Sequence, residues 1–219
     1  MEQLTPQVMH RLVFTILVHG LPDAQTEIAY EVLSEALKSP NAQVRELAVV
    51  AMSELLISPG KRVAALANAL RDPFPRVRRR AARSLGDFGA HALPVLPQLV
   101  AGLRDPDSSV RRDCAGTLGR LGPVTHIGAA GLVAMLTEPE TRSRVVAATA
   151  LKRIGPGAIP ALLQGLKSRD PDLKERSAAL LVRIAPNDAK VAAAVRAAIS
   201  GPLTETPTPL RTPAPAFLR

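Results

Sequence analysis

Five arginines fall within the eight positions of RVRRRAAR: Arg76, Arg78, Arg79, Arg80 and Arg83. Guanidinium groups at this density suit carboxylates and phosphates, which they grip through two parallel hydrogen bonds. The rest of the chain shares the bias. Arginine outnumbers lysine 22 to 6, and 28 basic residues against 19 acidic ones leave a net charge of +9. Other chemistry has little to work with. His10, His19, His91 and His126 stand far apart without companion cysteines, so zinc-ligand spacing is absent and no metal is expected. There is no G-x-x-x-x-G-K-[ST] loop, no G-x-S-x-G and no H-E-x-x-H, and neither a catalytic residue nor a cofactor is predicted. The single Cys114 allows no intrachain disulfide.

The elements that hold these arginines follow from composition and periodicity. Hydrophobic residues make up 47% of the 219, almost all of them Ala, Leu, Val and Ile, with no Trp, one Tyr and four Phe. Such a composition favours helices that approach closely. Pro40, Pro73, Pro106, Pro139 and Pro171 recur every 32 or 33 residues, the mark of a repeat protein. Behind each lies a related phrase, such as DPFPRVRRRAARSLGDF, DPDSSVRRDCAGTLGRL and EPETRSRVVAATALKRI. Aligned on the prolines, one column holds Arg45, Arg78, Arg111, Arg144 and Lys174. Three places on stand Ala48, Ala81, Cys114, Ala147 and Ser177, and four further Met52, Leu85, Leu118, Leu151 and Leu181. These offsets trace one face of a helix, with a small column where neighbours meet and a large one between layers. The last repeat reads as two residues shorter in its loop.

Intervening segments such as HALPVLPQLVAGLRD carry leucines at helical spacing, so each repeat predicts a helix pair. Gly89, Gly122 and Gly155 read as helix stops. Thr5 with Pro6, and Asp23, are N-cap candidates for helices near 6–19 and 24–38. About eleven helices are expected: N-terminal cap helices over 1–39, regular repeats over 40–200, and a flexible Pro-rich tail over 201–219. The apolar run near the N-terminus is interrupted by His10 and Arg11 and lacks a cleavage site. A soluble cytoplasmic chain without a membrane segment is predicted.

Ankyrin and tetratricopeptide repeats have similar periods, but their T-P-L-H and aromatic signatures are missing. DPDSSVRRDCAGTLGRLG followed by LVAML instead resembles the short HEAT repeats of bacteria, the type associated with phycobilisome lyases. The pattern D-P-x-x-x-V-R-x-x-A-x-x-x-L-x-x-[LIF] recurs, with departures, over about residues 40–200. The resemblance implies an all-α, right-handed superhelix of antiparallel helix pairs, its second helices lining a concave side, with Asp and Arg forming polar ladders near the turns. Ser39, Ser143 and Lys174 depart from the pattern, so the ladder should weaken at both ends.

Within that frame the arginines divide. Arg45, Arg78, Arg111 and Arg144 belong to the repeated column and are expected to be structural, with Asp72, Asp105 and Glu138 as the carboxylates of their own turns. Arg79, Arg83, Arg112, Arg120, Arg153 and Arg183 fall at solvent-facing positions of successive second helices. They form either a basic stripe on the concave face or a plain solvated surface. The expected function is a non-enzymatic scaffold that binds a protein partner, acidic by preference, on the concave face, with a monomer favoured. Two alternatives stand beside it: a nucleic-acid backbone binder, disfavoured by the lack of stacking aromatics, and an accessory subunit of a bilin lyase.

Overall fold

Proline and glycine set where each helix begins and ends. The structure, a computed structural model, describes residues 5–19 and 23–199, so the expected Pro-rich tail lies outside the described residues. These residues form α1 (Pro6–His19), α2 (Asp23–Ala36), α3 (Ala42–Glu54), α4 (Pro59–Ala69), α5 (Pro75–Leu85) and α6 (Leu96–Ala101). There follow α7 (Ser108–Leu121), α8 (Ala129–Ala134), α9 (Thr141–Ile154), α10 (Ile159–Gly165), α11 (Pro171–Ile184) and α12 (Ala189–Ile199). No strand occurs among the described residues. The twelve helices exceed the expected eleven or so by one. Gly89, Gly122 and Gly155 take φ of 54°, 77° and 68°, values that L side chains rarely adopt, which stop the preceding helical segments. Short 3₁₀ turns then lead into α6, α8 and α10, because Pro94, Pro123 and Pro156 withhold backbone donors there.

The odd-numbered helices pack side by side in one layer, and the even-numbered helices lie behind them. Contacts between consecutive odd helices are far denser than those between consecutive even ones, except that α9 and α11 meet sparsely. The helices that carry the arginines therefore share one layer, the one expected to line the concave side.

Two leucine-rich columns seal the layers. Met52, Leu85, Leu118, Leu151 and Leu181 on the odd helices and Leu33, Leu66, Leu99, Leu132 and Leu162 on the even ones are all fully buried. Each such side chain contributes about 1.5–3 kcal/mol. Both columns advance by 33 residues three times and then by 30. This corrects the register given by the prolines. Pro73, Pro106 and Pro139 lie before their helices, whereas Pro171 is the first residue of α11. Ser168, six residues before Lys174, thus holds the place that Asp72, Asp105 and Glu138 hold before Arg78, Arg111 and Arg144.

Candidate functional site

Arg45, Arg78 and Arg111 each stand at the fourth residue of an odd helix, where a long side chain reaches back over the preceding turn. Nη1 of each donates to two carbonyls of that turn: Ser39 and Pro40 at 2.7 and 3.2 Å, Asp72 and Pro73 at 2.8 and 3.1 Å, Asp105 and Pro106 at 2.8 and 3.1 Å. The other edge of the guanidinium faces the next repeat. Arg45 donates to Asp72 at 2.6 and 2.9 Å, Arg78 to Asp105 at 2.7 and 2.7 Å, and Arg111 through Nε to Glu138 at 2.6 Å. The expected pairing with the carboxylate of the same turn is therefore corrected. That turn supplies backbone carbonyls, and the carboxylate comes from one repeat on. Each guanidinium is held above its ordinary pKa, first by its carboxylate hydrogen bond and against the cost of burial.

The ladder ends at Arg144. Nη1 keeps its bonds to the Glu138 and Pro139 carbonyls at 2.8 and 2.7 Å, but Nη2 turns to Thr141 Oγ1 at 2.7 Å because Ser168 offers no carboxylate. Of the weakening expected at both ends, that at the C-terminal end is seen and that at the N-terminal end is corrected. Arg45 is the most buried rung, with a side chain 9% exposed, and the Phe74 ring lies 5.3 Å from its Cζ. Ser39 weakens nothing there, because the turn contributes its carbonyl.

Glu138 fits its rung poorly. Asp72 and Asp105 take two bonds from their arginines and a third from the N–H of Phe74 or Asp107, at 2.8 and 2.9 Å. One methylene longer, Glu138 leaves Oε2 buried without a partner. Glu138→Asp is expected to raise stability by about 1 kcal/mol, read as a shift in denaturant midpoint at unchanged m-value.

Arg79, Arg83, Arg112, Arg120, Arg153 and Arg183 all lie on odd helices, but they do not form one continuous stripe. Arg79 and Arg112, the fifth residues of α5 and α7, are paired with the next repeat, Arg79 with Asp113 at 3.2 Å and Arg112 with Glu140 at 2.7 and 2.8 Å. Arg120, in the last turn of α7, donates to the Arg83 carbonyl at 2.6 Å and lies 3.9 Å from Asp87. A Cβ at Gly86 would fall on its guanidinium, so this glycine makes the seat. Arg83, Arg153 and Arg183 are exposed and make no side-chain hydrogen bond or ion pair among the described residues. Lys152, which no spacing singled out, shares that condition; its adjacency to Arg153 was the available signal. Exposed Val145 and Val182, 58% and 51%, lie on the same helices, α9 and α11.

Residues 63–140 match the family model of HEAT repeats. No curated protein matches the chain. Among solved structures an engineered protein has a TM-score of 0.52 at 20% identity, covering 82% of this chain and 97% of that one. A designed armadillo repeat protein has a TM-score of 0.52 at 15% identity, covering 82% and 92%. Another designed armadillo repeat protein, in complex with the peptide (KR)4, has a TM-score of 0.51 at 15% identity, covering 82% and 98%. The fold is thus an α-solenoid of the HEAT and armadillo kind, and the HEAT-repeat match covers its central stretch.

No cluster of three or more His, Cys, Asp or Glu able to hold a metal occurs among the described residues, and none of their helices is long and apolar enough to cross a membrane. Cys114 is buried, and its thiol is pushed up to about 12 by burial first, then by the charges of Asp105 and Asp113. The neutral thiol adds stability that is complete below the unfolded pKa of about 8.5 and is lost as pH rises towards the folded value. Native protein is expected to resist a thiol-specific reagent at pH ~8 until it unfolds. Labelling at the rate of a free thiol would refute this.

Proposed function

We propose that the protein is a non-enzymatic interaction scaffold that binds an acidic polypeptide segment along the inner surface formed by α7, α9 and α11. One observation carries this reading. Lys152, Arg153 and Arg183, near the ends of their helices, are exposed and unpaired among the described residues, while Arg79 and Arg112 are neutralised by Asp113 and Glu140. Unspent cations beside exposed Val145 and Val182 suit a segment that carries both carboxylates and apolar side chains. The designed armadillo protein in complex with (KR)4 supports the mode of binding, since a solenoid of this architecture holds a short charged peptide. Here the sign of the surface is reversed.

The test is a calorimetric titration with an acidic, leucine-containing peptide at low and moderate salt. Binding that weakens with salt and is lost in Arg153→Glu/Arg183→Glu supports the reading. A preference for single-stranded DNA, with a salt slope that reports several phosphate contacts, would replace it by a nucleic-acid role.

A further inference from the structure

The last turns of the odd helices, with the 3₁₀ turn that follows α5, carry a single column of charge that changes sign along the stack: Glu54, Asp87, Arg120, Arg153, Arg183. The acidic end is closed off, since Asp87 lies 3.9 Å from Arg120 Nε; Arg120 gives Nη2 to the Arg83 carbonyl and Thr117, so its Nη1 is what faces a ligand. Three cations follow at equivalent places on α7, α9 and α11, and Arg153 and Arg183 make no hydrogen bond or ion pair among the described residues, not even with the carbonyls at their own helix ends. We propose that Arg120, Arg153 and Arg183 select an extended acidic segment in the polyproline II conformation, with a carboxylate at every third residue. This rests on the scaffold reading above and adds its ligand's conformation and register.

Spacing decides between ligand conformations. Packed helices stand about 8–10 Å apart, and that pitch sets the interval between equivalent side chains on neighbouring odd helices. The α7–α9 pair is close, because a Cβ at Gly119 would lie 2.9 Å from Ala150 Cα, and only glycine fits there. A polyproline II helix repeats its face every three residues, or about 9 Å. An extended strand repeats its face at about 6.7 Å, and an α-helix returns to its face every three to four residues, at about 5–6 Å, and again at seven, about 10.5 Å. The polyproline II repeat falls within the helix spacing, and long arginine side chains absorb the wider step from α9 to α11. Three cations bounded by Asp87 fix a short footprint with carboxylates at its two ends and its centre. Lys152 and Val182, each exposed and one residue before an arginine of the column, are available to the residues between the carboxylates.

The experiment compares two nine-residue proline peptides of identical composition by fluorescence anisotropy with the full chain. One has glutamate at every third position, and the other has the same three glutamates spaced unevenly. The regular peptide is expected to bind at least about fivefold more tightly, as two misplaced exposed ion pairs would cost. Arg153→Ala, at an exposed site and checked for unchanged helical circular dichroism, should abolish the difference. Equal affinity for both peptides would overturn the spacing and leave the acidic-segment reading standing. No binding of either peptide at low salt, where a leucine-containing acidic peptide still binds, would overturn it as well. Failure of all three peptides would remove both.

Discussion

Arg78→Ala should lower the free energy of unfolding by about 3 kcal/mol, while Arg79→Ala, one residue on, should change it by less than about 1 kcal/mol. The difference lies in what each substitution leaves behind. Asp105, with a side chain 9% exposed, loses both guanidinium bonds and stays charged in a buried turn, and the Asp72 and Pro73 carbonyls lose their donor. Arg79 and Asp113 are open enough for water to take over, at 49% and 26%. Arg144→Ala is the internal control. It occupies the same helical position and releases the same two carbonyls, but strands no carboxylate, so a loss of about 1 kcal/mol is expected. Urea unfolding of the three variants measures this order. Equal losses for Arg78 and Arg144 would mean that the ladder does not rest on its carboxylates.

The same pair sets an acid limb. Burial raises the Asp105 pKa, but the hydrogen bonds from Arg78 and the Asp107 N–H, with the charges of Arg78 and Arg111, bring it below its usual value. A depressed carboxyl contributes stability above the unfolded pKa of about 4, lost as pH falls through the folded value. That part of the acid sensitivity should disappear in Arg78→Ala.

These rungs show how much a repeat sequence discloses. Residue types and the 33-residue interval are visible in one dimension, because each repeat buries the same columns and punctuates its turns with the same proline and glycine. A bond between repeats is different in kind. Nothing in DPFPRVRR tells whether Arg78 meets Asp72 or Asp105, since that depends on how far one helix pair advances on the next, a quantity set by packing. The misaligned Pro171 has a similar origin. Proline is tolerated both before a helix and at its first position, so it is a poorer ruler than the fully buried Leu151 and Leu181. The candidate surface was legible only as a set of arginines. Which of them remain unspent depends on Asp113, Glu140 and Gly86, and each of these acts across a repeat boundary.

The small column carries the second large prediction. Two of its residues face a glycine twelve positions earlier, Cys114 with Gly102 and Ser177 with Gly165, and the same interval relates Ala48 to Ala36, Ala81 to Ala69 and Ala147 to Met135. Where the odd helix carries Cys or Ser, the partner is glycine. A Cβ added at Gly102 would fall on Cys114 Sγ, and one at Gly165 on Ser177 Oγ. Gly102 itself has φ −61° and ψ −17°, so its backbone accepts alanine and only the contact forbids it. Gly102→Ala should therefore destabilise by about 2 kcal/mol, overpacking outweighing the gain in helix propensity. In Cys114→Ala protein the same change should be neutral or stabilising, because the pair then reproduces Ala69 and Ala81. A thermodynamic cycle over the four proteins should give a coupling of about 2 kcal/mol. A cycle that closes without coupling would show that the sulfur does not set the distance between these two elements. Ser177→Ala extends the reasoning at the other pair. Ser177 Oγ is buried without a partner, so its removal should stabilise, and Gly165→Ala should then cost less, though more than Gly102→Ala in Cys114→Ala protein, because the Cβ of residue 177 stays 3.1 Å from the added Cβ.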